Sequence, residues 1–158
     1  MKFIHMSSKK IKRFKTPPKL GFIFKPHGCL WFSCGNQWET YAKEDLPEGT
    51  YESYKYKYEA ELDESKLIIL KTYKDIKEFS DKFLIPEKEL ETLKGTDLLV
   101  EGLYMDWDKV REETGKDGIY VKNAQIKRAR FDFPWYSTFD ICSVAVWGKD
   151  AIKSMTLI

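Results

Sequence analysis

Asp140-Ile141-Cys142-Ser143-Val144-Ala145-Val146-Trp147 is the stretch on which the fold turns. Successive side chains of an extended chain point to opposite sides, so Ile141, Ser143, Ala145 and Trp147 share one face, while Cys142, Val144 and Val146 share the other. A strand apolar on both faces lies inside a sheet covered on two sides. Ser143 is its polar exception, and a buried hydroxyl needs a reason to be there. The strand is expected to run from Phe139 to Trp147, fed by an aromatic loop at Phe133-Pro134-Trp135. Asp140 stands three residues before Ser143, which regular strand geometry assigns to the opposite face. A bulge or bend is needed to bring the two to one side; Asp140 also reads as a turn or capping residue.

Working outward, Tyr54 to Leu62 alternates strictly, with Tyr54, Tyr56, Tyr58, Ala60 and Leu62 on one face and charges on the other, as in a strand with one wet face. Leu67-Ile68-Ile69-Leu70 reads as a more central strand. Lys2 to Met6 and Cys29 to Ser33 are further strands, Phe22-Ile23-Phe24 a segment able to pair locally, and Gln37 to Ala42 a short helix. Thr72 with Asp75 opens a helix that buries Ile76, Phe79 and Phe83. Pro86 starts a helical stretch over Glu87 to Lys94 that Gly95 ends. Asp106 caps a helix from Trp107 to Glu113 with Gly115 at its C-terminal end. Asp117-Gly118 turns into the strand Ile119-Tyr120-Val121. Strands at both ends and helices in the middle predict an α+β domain rather than a regularly alternating one.

The 158 residues fit one domain, 1–158, with a real hydrophobic core. Aromatic residues make up 15% of the chain, enough both to pack that core and to offer flat stacking surfaces. Charge is unevenly placed. Residues 1–38 carry Lys2, Lys9, Lys10, Lys12, Arg13, Lys15, Lys19 and Lys25 and no acid, whereas 39–117 hold 22 of the 25 acids. A basic segment beside an acidic body suggests a polyanion or a pyrophosphate near the former; a solvated basic surface explains it equally well. Cys29, Cys34 and Cys142 are too few for a disulfide framework and no signal peptide precedes them, so a cytoplasmic (intracellular) protein is expected. No apolar run reaches the ~20 residues a membrane helix needs, so no membrane partner is expected. His27, Cys29 and Cys34 match no compact zinc spacing, and no metal is expected.

Three short segments, His5-Met6-Ser7, Leu30-Trp31-Phe32-Ser33 followed by Tyr41-Ala42, and Ser143 to Trp147 with Ile152, resemble in their order the strands that hold NAD in ADP-ribosyltransferases. The resemblance implies a mixed, largely antiparallel split β-sheet core with a few helices, and NAD as a substrate. It assigns His5 and Ser7 to the adenosine side, Trp31, Ser33 and Tyr41 to the nicotinamide side, and the catalytic position to Ser143. At that position the family usually has a glutamate, whose charge stabilises the oxocarbenium-like state as nicotinamide leaves. Serine carries no charge, and Asp140 is the candidate to replace it. The implied activity is transfer of ADP-ribose to a macromolecular acceptor, protein or nucleic acid. The alternative is a non-catalytic binding domain for nucleic acid or a nucleotide ligand, using the basic N-terminal segment and the aromatic residues.

Overall fold

Val144, Ala145 and Val146 are wholly buried, because their strand runs through the interior of a seven-stranded sheet. The computed structural model describes residues 1–90 and 101–158. Its strands are β1 (Phe3–Ser7), β2 (Leu30–Cys34), β3 (Tyr56–Leu62), β4 (Leu67–Leu70), β5 (Gly118–Val121), β6 (Ser143–Val146) and β7 (Ile152–Leu157). Its helices are α1 (Gln37–Glu44), α2 (Tyr73–Phe83), α3 (Glu87–Leu90), α4 (Trp107–Thr114), α5 (Lys127–Asp132) and α6 (Pro134–Ser137). The strand order is β4-β5-β6-β2-β1-β3-β7. Only β4 and β5 run parallel; every other neighbouring pair is antiparallel. The fold is therefore mixed α and β around a largely antiparallel sheet.

The alternation along β6 divides two cores. Ala145 and Trp147 join Leu70, Ile119 and Val121 beneath α2, α4, α5 and α6, whose Ile76, Phe79, Val110 and Trp135 complete that cluster. Val144 and Val146 join Phe3, Phe32, Ala60 and Tyr120 in the second. The three tryptophans of the first core each satisfy their indole N–H, as burial requires. Trp107 donates to the Ile23 carbonyl, Trp135 to Ser80 Oγ and Trp147 to the Lys116 carbonyl, at 2.7, 2.8 and 2.7 Å. Ser80 in turn donates to the Ile76 carbonyl, which is why a serine sits buried in an apolar helix face.

Local signals place α1, α2 and α4 much as the sequence predicts, whereas α5 lacks a side-chain cap and is not among the expected helices. Thr72 and Asp75 form a reciprocal capping box on α2. Asp106 caps α4 by accepting from the Lys109 N–H, and Gly115 closes it at φ +63°, a conformation glycine adopts without a Cβ clash. Of the helix expected over Glu87 to Lys94, α3 covers Glu87–Leu90; residues 91–95 lie outside the described residues.

Four expectations need correction. Leu67–Leu70 forms an edge strand rather than a central one; its apolar run reflects two cores covering its flanks, with Leu67 in one and Leu70 in the other. Phe22-Ile23-Phe24 is not a strand. Phe133-Pro134-Trp135 is not a loop, because Pro134 opens α6. The strand expected from Phe139 to Trp147 covers only Ser143–Val146. Before it, the Phe139 and Asp140 carbonyls accept from the Arg130 guanidinium and the Gln125 amide, not from a neighbouring strand. Side chains of α5 and the turn before it thus hold residues 139–142 in a bend.

The cysteines also differ from the expectation. Ser33 pairs with Ser143 across β2 and β6, so Cys34 comes opposite Cys142. These two form a disulfide with Cα atoms 5.5 Å apart, between residues separated by 108 positions; Cys29 is free. Among the described residues no helix is long and apolar enough to cross a membrane.

Candidate functional site

The sheet is weakest in hydrogen bonds along one seam. β1 pairs with β3 over five residues but with β2 over only two, Phe3 with Cys34 and Ile4 with Ser33. Beyond Ile4 a side chain takes over from the ladder: His5 Nδ1 lies 2.6 Å from the Trp31 carbonyl. A carbonyl can only accept, so Nδ1 carries the proton and Nε2 keeps its lone pair. Burial pushes the His5 pKa down, with the Trp31 hydrogen bond opposing, so the ring is neutral at neutral pH. No buried side-chain N or O atom among the described residues lacks a partner. Nε2, which has no partner among the described residues, therefore faces open space.

That space is a cleft of about 370 Å³ at the seam, lined by His5 and Met6 of β1, Trp31 and Ser33 of β2, Trp38 of α1, Tyr54, Phe139, Ile141, Ser143 and Lys25. Its walls are aromatic. Trp31 lies 6.0 Å from Phe139, and Trp38 lies 5.6 Å from Tyr41 and 6.4 Å from Tyr54, ring centre to ring centre. Ser33 and Ser143 face one another across the β2–β6 ladder. Both spend their protons locally: Ser33 Oγ donates to the Gly35 carbonyl and Ser143 Oγ to the Ile141 carbonyl, each at 2.9 Å. What they offer a ligand is lone pairs.

α1, which carries Trp38, is tied to the sheet by Glu39. Its carboxylate takes Lys57 of β3 at 2.5 Å, Lys43 at 3.0 Å and the Tyr51 hydroxyl at 3.0 Å. The Lys57, Lys43 and Tyr51 hydrogen bonds, in that order, hold the Glu39 pKa down at about 2.

Among the described residues Lys25 is the only charged one lining the cleft, and no carboxylate lines it. Its ammonium sits 5.0 Å over the Phe139 ring and makes no ion pair with a described residue. Burial lowers its pKa, opposed by the charge of Asp140. A half-desolvated cation among aromatic faces suits a ligand that combines a flat ring with an anionic group.

Of the residues singled out from the sequence, His5, Trp31, Ser33 and Ser143 thus share one cleft. Tyr41 and Asp140 line a neighbouring one with Gln37, Thr40 and Gln125, and Ile141 borders both. Burial, then the adjacent Asp140, raise the Tyr41 phenol pKa. Ser7 lines neither: it closes a turn, donating to the Lys9 carbonyl and accepting the Lys9 N–H. Sequence reasoning missed Lys25, Tyr54 and Phe139 as site residues. Tyr54 was assigned to the alternating strand, which begins only at Tyr56. Lys25 had a signal, as the lone charge in Leu20 to Pro26. Compared with protein-family models, curated proteins and solved structures, the chain matches none significantly.

Proposed function

We propose that the seam cleft binds NAD and that the protein transfers ADP-ribose from it to a macromolecular acceptor. The observation that carries this reading is convergence: residues 5, 31, 33 and 143, far apart in sequence, come from three adjacent strands and line one cavity. In this reading the flat nicotinamide packs among Trp31, Trp38 and Tyr54. Lys25 takes a phosphate oxygen, His5 Nε2 accepts from a ribose hydroxyl, and the serine lone pairs accept from another. Transfer breaks the bond between ribose and nicotinamide, whose nitrogen keeps the electron pair, and the acceptor's nucleophile forms the new bond to the ribose carbon. The cationic state between needs a nearby anion. Asp140 is the candidate, since the bend at 139–142 frees it from strand geometry and Ile141, next to it in sequence, borders both clefts.

A second reading, a nucleotide-binding domain without chemistry, is favoured by one observation: among the described residues the cleft lining holds a cation and no acid. Calorimetric titration with NAD alongside a nicotinamide-release assay separates the two. Wild type should bind NAD; Lys25→Gln should weaken binding by about tenfold or more, the worth of one charge-assisted hydrogen bond; Asp140→Asn should bind normally and release no nicotinamide. Binding without release in the wild type leaves the second reading, and no binding at millimolar NAD ends both.

The cytoplasmic setting expected from the sequence belongs to this proposal, and the disulfide bears on it. Such bonds persist in oxidising compartments; in a reducing cytosol Cys34 and Cys142 stand as a dithiol beside the cleft.

A further inference from the structure

Residues 8–20 form no helix or strand, yet they are fastened along their length. The Ile11 N–H donates to the Tyr58 hydroxyl at 2.8 Å. Arg111 donates to the Pro17 and Pro18 carbonyls at 2.8 and 2.9 Å, and the Leu20 N–H donates to Asp108 at 2.9 Å. Phe14 packs against the second core, and Pro17 and Leu20 are buried. Six cations on this arm (Lys9, Lys10, Lys12, Arg13, Lys15 and Lys19) remain exposed. None makes an ion pair with a described residue, although ten such pairs form elsewhere.

Between this arm and the start of β2 lies a groove of about 540 Å³, separate from the NAD cleft. Lys10, Lys12, Arg13 and Lys15 line it together with Ile11, Phe14 and Leu30, and no acid among the described residues does. Leu30 and Trp31 alternate on β2, so that one strand serves both cavities. Holding four like charges together costs repulsion that the fold does nothing locally to relieve. From this pinned, unneutralised, apolar-floored groove we infer that it binds single-stranded nucleic acid. The cations meet the phosphates, and Ile11, Phe14 and Leu30 meet base or sugar faces. An anionic membrane fits less well, because the apolar side chains form the floor of a concavity rather than a protruding edge. Because the arm is already ordered, binding loses little conformational entropy.

The test is fluorescence-anisotropy titration of the full chain with a labelled oligonucleotide of about twelve residues, within the range one such site covers. Four phosphate contacts on a single strand predict about fiftyfold weaker binding as salt rises from about 50 to about 200 mM. Lys12→Gln/Arg13→Gln alters only exposed side chains, and circular dichroism and melting establish that it folds. Its salt sensitivity over that range should fall to about sevenfold, whatever the base sequence. A salt-independent or undetectable interaction overturns the inference. So does an unchanged salt slope in the folded double variant, equal affinity for a duplex of the same sequence, or tighter binding to vesicles of anionic lipid. NAD binding is measured separately, so loss of either site leaves the other's result intact.

Discussion

His5 is the side chain on which the site's electrostatics turn. Its imidazole is kept neutral by burial, so folding favours the uncharged ring over the unfolded chain, where the ordinary value of 6.5 applies. The unfolded state therefore binds more protons below that value, and stability falls with pH over the window from 6.5 down to the lower folded-state pKa. Above 6.5 the contribution is fully present. Denaturant melts at stepped pH should show this loss in the wild type and a flatter profile in His5→Gln. The same titration weakens NAD binding in the proposed site, because protonation removes the Nε2 lone pair. A wild-type profile as flat as the variant's excludes a buried neutral ring.

At the scale of elements, α1 depends on a carboxylate that works against acid. Glu39 has its pKa lowered to about 2 from 4.5, first by the Lys57 hydrogen bond. Its contribution is complete above 4.5 and is lost as pH falls through the window towards about 2. Glu39→Gln should destabilise the protein at neutral pH, reduce its acid sensitivity in that window, and loosen Trp38 enough to alter tryptophan fluorescence. No difference between the proteins in acid melts would show that the contacts at Glu39 contribute nothing. Helices α2 and α4 are legible because capping and amphipathic spacing are local: Thr72 with Asp75, Asp106 and Gly115 act within a few residues; α5 and α6 are not, since neither has a side-chain cap. The beginning of β6 was not legible either, because Arg130 and Gln125 reach back to hold residues 139–142 in a bend, which no periodicity within those residues records. The edge position of β4 escaped for a similar reason: alternation reports what covers a strand's faces, not who its neighbours are.

For the whole molecule, the seam between β1 and β2 and the disulfide beside it act together. Four of the seven proposed site residues meet at the seam, a grouping that the resemblance to ADP-ribosyltransferases implies. Lys25 and Phe139 could not be foreseen from it, since both arrive on irregular chain whose path is set by distant packing. On the other side of β2 from the short ladder, Cys34–Cys142 fastens β2 to the chain entering β6. Closing a loop of 108 residues lowers the entropy of the unfolded chain; for about 100 residues that is worth up to about 4.7 kcal/mol. Cys142→Ser, or reduction of the wild type, should lower the melting temperature markedly, and the two treatments together should add nothing further. A variant that melts like the oxidised wild type would show that the bond carries no stability.

Serine and cysteine alternate on both strands, Ser33-Cys34 against Cys142-Ser143. Sliding β6 along β2 by one residue would turn the Cys142 sulfur towards the cleft and the Ser143 hydroxyl into the apolar interior. The sulfurs would then no longer stand opposite one another. The covalent bond is thus a proofreader of strand alignment: it closes readily only on a chain whose cleft is already correctly assembled. Free thiols in the refolded protein beyond the one of Cys29 therefore count the molecules in which the site has not been built.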